Sequence, residues 1–264
     1  MRLLVTGGAG FIGSHYVRTM LAGGYPGYED ARITVVDRLS YAGNRENLPA
    51  RHPRLDFVHG DVCDLPLLLD VFPGHDALVH FAAESHVDRS VESAAEFVRT
   101  NVGGTQTVLD ACVETGIERV VHVSTDEVYG SIETGSWTES RPLLPNSPYA
   151  ASKAGADLVA RSYWRTHRLG VSITRCSNNY GPTSTPRSSS RCSSPTSWRA
   201  SLCPSTGTAA TSVSGCTSTT TAGRSTWSSP GAGRARSTTS AAATRPPTWA
   251  SPGGSSSCAA PTSP

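Results

Sequence analysis

The chain has 264 residues, enough to bury one large core, and its formal net charge of +2 averages two unlike stretches. Residues 1–182 hold all 21 acidic residues, 15 arginines and the single lysine, Lys153, for a net charge of −5, whereas residues 183–264 hold seven arginines and no acid. The whole-chain balance is therefore no argument for a nucleic-acid or membrane partner, and neither is expected.

Composition divides the chain at the same place. Residues 183–264 contain 38 serines and threonines in 82 positions, one Leu and one Val, and no Ile, Phe, Tyr or Met. Such a stretch cannot bury enough apolar surface to offset the entropy of ordering it, so it is predicted to be a disordered, low-complexity tail. The seven cysteines are odd in number and form no CxxC pair. That spacing argues against a disulfide framework and against a metal site, and it suits a reducing, cytoplasmic setting. The apolar run after Met1 is cut by Gly7 and Gly8, so no signal-peptide core is expected, and no run reaches the length of a membrane span.

From the N-terminus, apolar β-type runs predict strands at Leu3–Thr6, Ile33–Val36, Leu55–His59, Ala77–His80, Arg119–Ser124 and Val171–Arg175. Helical periodicity predicts helices at Phe11–Ala22, Leu65–Val71, Ser90–Thr115 and Tyr149–Arg168. Strands alternating with helices define the expected fold class, an α/β doubly wound parallel sheet of Rossmann type over residues 1–182.

Gly7-Gly8-Ala9-Gly10-Phe11-Ile12-Gly13 follows the first strand and opens the first helix. Gly7 or Gly8 permits the tight turn, Gly10 lets backbone approach a pyrophosphate, and Gly13 lets helix and strand pack closely. Asp37 ends the second strand, where a carboxylate accepts from ribose hydroxyls and repels a 2′-phosphate, which points to NAD; the adjacent Arg38 pulls the other way. Asp61 and Val62 end the third strand, at an adenine contact or in a solvated turn. Ala82 and its neighbours supply small residues where backbone passes a cofactor.

Glu84-Ser85-His86-Val87-Asp88-Arg89-Ser90 gathers polar groups after the fourth strand, and His86 reads equally as a substrate contact or a helix-start residue. Thr125-Asp126-Glu127 follows the fifth strand at the sheet edge where such folds bind ligands. Two adjacent carboxylates point in different directions, and surroundings that separate their pKa values would make one an acid and one a base. Tyr149 and Lys153 lie one helical turn apart, so the ammonium is placed to lower the phenol's pKa and make it a base toward a sugar hydroxyl.

These motifs, with Ser40-Tyr41-Ala42-Gly43-Asn44 and Asn178-Asn179-Tyr180-Gly181-Pro182, resemble the extended short-chain dehydrogenase/reductases, and among them the sugar-nucleotide 4,6-dehydratases. The resemblance covers residues 1–182. It implies an NAD-dependent lyase of nucleotide-sugar metabolism in which Tyr149 helps oxidise the sugar C4 hydroxyl, supported by Lys153 and Thr125. Glu127 would remove the C5 proton, Asp126 would protonate the departing C6 hydroxyl, and the hydride would return to C6. It further implies cofactor contacts from Gly7, Gly10, Phe11, Ile12, Gly13, Asp37, Asp61, Val62, Ala82, Tyr149 and Lys153. Ser85, His86 and Asn179 become substrate contacts, and the full-length protein a homodimer. A sugar-nucleotide epimerase and a non-catalytic dinucleotide-binding protein are the alternatives.

In that family a substrate domain follows the Asn-Asn-Tyr-Gly-Pro run, and here the likeness stops at Thr183. Reading each tail codon from its third base, with permitted wobble choices, turns Pro182 to Ser193 into YQHPEKLIPLF and Leu202 to Gly223 into VPLYGDGRNVREWVHVDDHCR. Those strings resemble the family's substrate domain, in order and in one frame. The expectation is a base missing near the Pro182 codon, so that residues 183–264 stand where the substrate domain belongs; a natural Ser/Thr-rich linker or glycosylated stalk is the alternative.

Overall fold

The computed structural model describes residues 1–181 other than Glu133, together with two strand pairs of residues farther on, 216–217 and 236–237. The predicted tail otherwise lies outside the described residues. Element order is β1 (Arg2–Thr6), α1 (Phe11–Leu21), β2 (Arg32–Asp37), β3 (Leu55–His59), α2 (Leu65–Val71), β4 (Ala77–His80), α3 (Val87–Glu92), α4 (Ala94–Phe97), a π-helical turn (Val98–Gly103) and α5 (Gly104–Thr115). There follow β5 (Arg119–Thr125), a 3₁₀ turn (Asp126–Tyr129), α6 (Pro148–His167), β6 (Gly170–Cys176) and the two-residue strands β7 (Asn179–Tyr180), β8 (Cys216–Thr217) and β9 (Arg236–Ser237).

The main sheet runs β3-β2-β1-β4-β5-β6-β9 with every neighbour parallel, and β7 pairs with β8 apart from it. The chain starts mid-sheet at β1, winds outward through β2 and β3, then crosses back to β4. That reversal opens a crevice at the carboxyl ends of β1 and β4.

Period-two alternation sends side chains of one strand to opposite layers. Leu3 and Val5 of β1 pack with Tyr16, Val17 and Met20 of α1, whereas Leu4 packs with Leu68, Phe72, Val108 and Leu109 under α2 and α5. Local chemistry fixes the helix ends. Asp64 accepts from the Leu67 N–H at 3.2 Å at the start of α2, and Ser147 accepts from the Ala150 N–H at 3.1 Å at the start of α6, where Pro148 occupies the first turn.

One predicted element differs. The helix expected at Ser90–Thr115 begins at Val87, breaks at Ser93, whose backbone is not helical (φ −145°, ψ 75°), and resumes at Ala94 through the π turn. The apolar periodicity that suggested one helix is real. It does not record the break, because Ser93 is a residue that helices tolerate and loops favour.

Candidate active site

Gly7 makes the tight turn after β1: its φ is +69°, and a Cβ there would stand 2.5 Å from the Ala82 nitrogen. Gly8 needs no such backbone, so the turn belongs to Gly7. A Cβ on Gly13 would strike the Gly7 carbonyl oxygen, which is why α1 lies so close against the turn. Gly10 caps α1 with no side-chain hydrogen bond, leaving the first-turn N–H groups of Phe11 and Ile12 for an anion.

This helix start opens into a cleft of about 440 Å³. Its walls carry Gly7, Gly10, Phe11, Ile12, Gly13 and Asp37, then Asp61, Val62, Ala82, Ser85 and His86, and at the far end Thr125, Glu127, Tyr149, Lys153 and Asn179. The residues singled out for cofactor, substrate and chemistry thus come together in one place. Asp126 alone among them is not on the cleft wall; its carboxylate accepts from the Thr125 hydroxyl at 3.4 Å.

Asp37 is fixed by the N–H groups of Ala9 (2.9 Å) and Leu39 (2.8 Å), which holds its carboxylate beside the glycine turn. At the opposite end α6 presents Tyr149 and Lys153 one turn apart. Lys153 is buried and donates to the Val123 carbonyl at 2.8 Å; burial pushes its ammonium down to about 8, and the charge of Asp157 opposes that shift.

The phenol of Tyr149 behaves otherwise than the sequence implies. Burial drives its pKa up, the nearby Glu127 and Cys176 add to the rise, and a hydrogen bond with Thr125 works against it. In the protein alone the lysine therefore does not make the phenol acidic. Both carboxyls of the pair are also raised, Asp126 by burial and Glu127 by burial and then the charge of Asp126. Their environments shift them in the same direction, so position distinguishes them, with Glu127 on the cleft wall and Asp126 against Thr125.

Several contributors escaped the sequence reading. Asn101, in the π turn, accepts from the Glu84 N–H (2.8 Å) and donates to the Glu84 carbonyl (2.9 Å) and the Ser152 hydroxyl (2.8 Å), tying the β4 edge to α6. Beneath the lysine, Asp157 binds Arg175 Nε at 2.8 Å and lies 3.4 Å from His122 Nε2, and His122 stacks on His80 at 5.4 Å. Asp157 follows Lys153 by one helical turn, and that spacing was the available signal; for Asn101 the sequence offers none.

A parallel doubly wound sheet whose glycine turn faces a Tyr-x-x-x-Lys pair across one cleft defines a Rossmann-type protein of the short-chain dehydrogenase/reductase kind. Comparison sharpens the assignment: the chain belongs to the family described as GDP-mannose 4,6 dehydratase, which matches residues 4–197. It is 58% identical over 184 residues to a dTDP-glucose 4,6-dehydratase of Streptomyces niveus, across 69% of this chain and 55% of the relative. It is 60% identical over 182 residues to that of Streptomyces griseus, across 68% and 55%. Among solved structures it resembles DesIV, a dTDP-glucose 4,6-dehydratase from Streptomyces venezuelae with NAD bound, at TM-score 0.70 and 65% identity over 71% of this chain and 59% of that one. It also resembles a UDP-glucose 4-epimerase from Thermus thermophilus in complex with NAD, at TM-score 0.64 and 36% identity over 72% and 59%. The chain thus spans little more than half the length of these curated relatives.

Proposed function

We propose that residues 1–182 are the NAD-binding and catalytic half of a dTDP-glucose 4,6-dehydratase, a lyase that forms the 4-keto-6-deoxy sugar nucleotide. The observation that carries this reading is the placement of Thr125, Glu127, Tyr149 and Lys153 at one end of a cleft whose other end is the glycine turn and Asp37. The uncapped start of α1 and the anchored Asp37 fit the pyrophosphate and ribose of the dinucleotide. Bound there, NAD would supply the hydride acceptor for C4 and, reduced, the hydride donor for C6.

The residues of the chain do the rest. Tyr149 takes the C4 hydroxyl proton as its phenolate, with Thr125 hydrogen-bonded to its oxygen and the Lys153 ammonium, one helical turn along, supplying positive charge. Glu127, raised by burial, is a stronger base than a solvated glutamate and removes the C5 proton. Asp126, also raised, holds the proton that leaves with the C6 hydroxyl as water. Ser85, His86 and Asn179 face the sugar nucleotide from the remaining walls.

The tail belongs to the same proposal. Residues 183–264 are the out-of-frame reading of a substrate domain, so the chain as written turns over no sugar nucleotide and the frame-restored product does, as a cytoplasmic homodimer. Resequencing through the Pro182 codon tests the frame. Assaying both chains for NAD-dependent loss of one water from dTDP-glucose tests the activity: turnover by the chain as written overturns the reading of the tail, and none from the restored chain overturns the dehydratase. The likeness to the Thermus thermophilus epimerase favours epimerisation as the second reading, which Glu127→Gln separates, since an epimerase needs no C5 proton abstraction and keeps its turnover.

A further inference from the structure

Asp37 and Arg38 sit side by side at the end of β2 and make opposite demands on the adenosine ribose. A carboxylate there selects a free 2′-hydroxyl, whereas an arginine beside it is the usual partner of a 2′-phosphate. In this fold the arginine is already engaged. Arg38 Nη2 donates to Glu84 at 2.7 Å, and Nη1 donates to Glu96 at 3.2 Å and to Asp61 at 3.3 Å.

The three carboxylates come from separate elements, and each is held by something else. Glu84 is buried, and Asn101 bonds both its backbone N–H and its carbonyl. Arg99 of the π turn bridges Asp61 at 3.1 Å and Glu96 at 3.4 Å. Arg38 therefore docks into a preset acidic frame. The five charged groups sum to one negative charge, and Asp37 adds a second where a 2′-phosphate would arrive. A phosphate dianion would have to pull Arg38 out of that frame, leaving the buried Glu84 carboxylate without its cation.

We propose that Glu84 and Glu96 are specificity-determining residues that exclude NADP by occupying Arg38. The proposal rests on the reading of the cleft as a dinucleotide site and goes beyond it, because it places the choice of cofactor in two carboxylates that hold the neighbour of Asp37. Without them Arg38 keeps only the 3.3 Å hydrogen bond from Nη1 to Asp61, a carboxylate that Arg99 also holds, and Nη2 is free to donate to a phosphate.

The test uses the chain as it stands, with calorimetric titration of NAD and NADP as the readout and circular dichroism to establish folding. Glu84→Gln/Glu96→Gln is expected to raise NADP affinity about tenfold while moving NAD affinity by less than about threefold. Glu96→Gln alone, at the half-exposed carboxylate on α4, shifts it the same way by a smaller factor. Arg38→Ala decides the mechanism: it should change NADP affinity by less than about twofold in the native background and abolish the gain in the double variant. An equal effect of Arg38→Ala in both backgrounds would mean general electrostatics and overturn the proposal, as would no NADP gain in chains that still bind NAD. Failure of the native chain to bind NAD overturns the reading of the cleft itself, and the proposal with it.

Discussion

Replacing Asp157 by Asn removes the charge from a fully enclosed carboxylate without changing its size. Asp157 is 2% exposed, its Arg175 partner is 11% exposed in the side chain, and His122 beside it is 1% exposed. Removing one member of a buried ion pair costs about 3–5 kcal/mol, because the other charge is left in a poor solvent. Arg175 keeps a hydrogen bond to the Tyr129 hydroxyl, so the lower figure, about 3 kcal/mol, is expected. For a folded unit of this size that corresponds to a fall in Tm of about 6–12 °C. Thermal and urea unfolding followed by circular dichroism at pH 7 measure it.

The pH dependence gives a second check on the same variant. Burial pushes the Asp157 carboxyl up, but His122 and Arg175 outweigh burial and hold it below the ordinary carboxylate range. A depressed pKa stabilises the fold above the unfolded value, about 3.9, and that contribution fades as pH falls through the folded value. The difference between native and Asp157→Asn chains should therefore be constant near neutrality and narrow in acid. A loss below about 1 kcal/mol at pH 7, the range of an exposed pair, would refute the reasoning.

Two further outcomes follow from the same geometry. Gly13→Ala drives a methyl into the Gly7 carbonyl and the Gly8 backbone, neither of which can yield, and should cost about 1–3 kcal/mol in urea unfolding and weaken NAD binding; an unchanged Tm would show that α1 can shift. His80 and His122 are held neutral by burial, below the usual histidine range, while the unfolded chain protonates near 6.5, so stability should fall below that pH by up to about 1.4 kcal/mol per unit for each. A flat profile between about pH 7 and 5.5 would show that the pair is protonated in the fold.

Much of this was legible because it is local. The β3, α2 and β4 bounds coincide with their apolar runs, and the other principal strands extend theirs by a residue at one or both ends, since alternation and turn residues sit in the same short window. The glycine turn and the Tyr/Lys spacing are equally local, and they carried the cleft with them. What stayed hidden depends on long-range meetings. Arg38 finds its carboxylates 23, 46 and 58 residues away, and nothing in the sequence near Arg38 says that it is taken. The rise in the Tyr149 pKa likewise follows from its burial at the cleft wall and from the nearby Glu127 and Cys176, and spacing along a helix carries no measure of either.

The π turn at Val98–Gly103 sets the clock of the helix that follows. Its loops span one more residue than α-helical ones, so α5 leaves it out of phase by about 100° with a regular continuation of α4. Thr100 and Asn101 can then both turn inward while Val108, Leu109 and Cys112 still meet the sheet. Deleting a single residue here would let the helix run regularly and would rotate one of these two sets away from its partners. The segment is thus intolerant of length change, and a family alignment should show it constant in residue count.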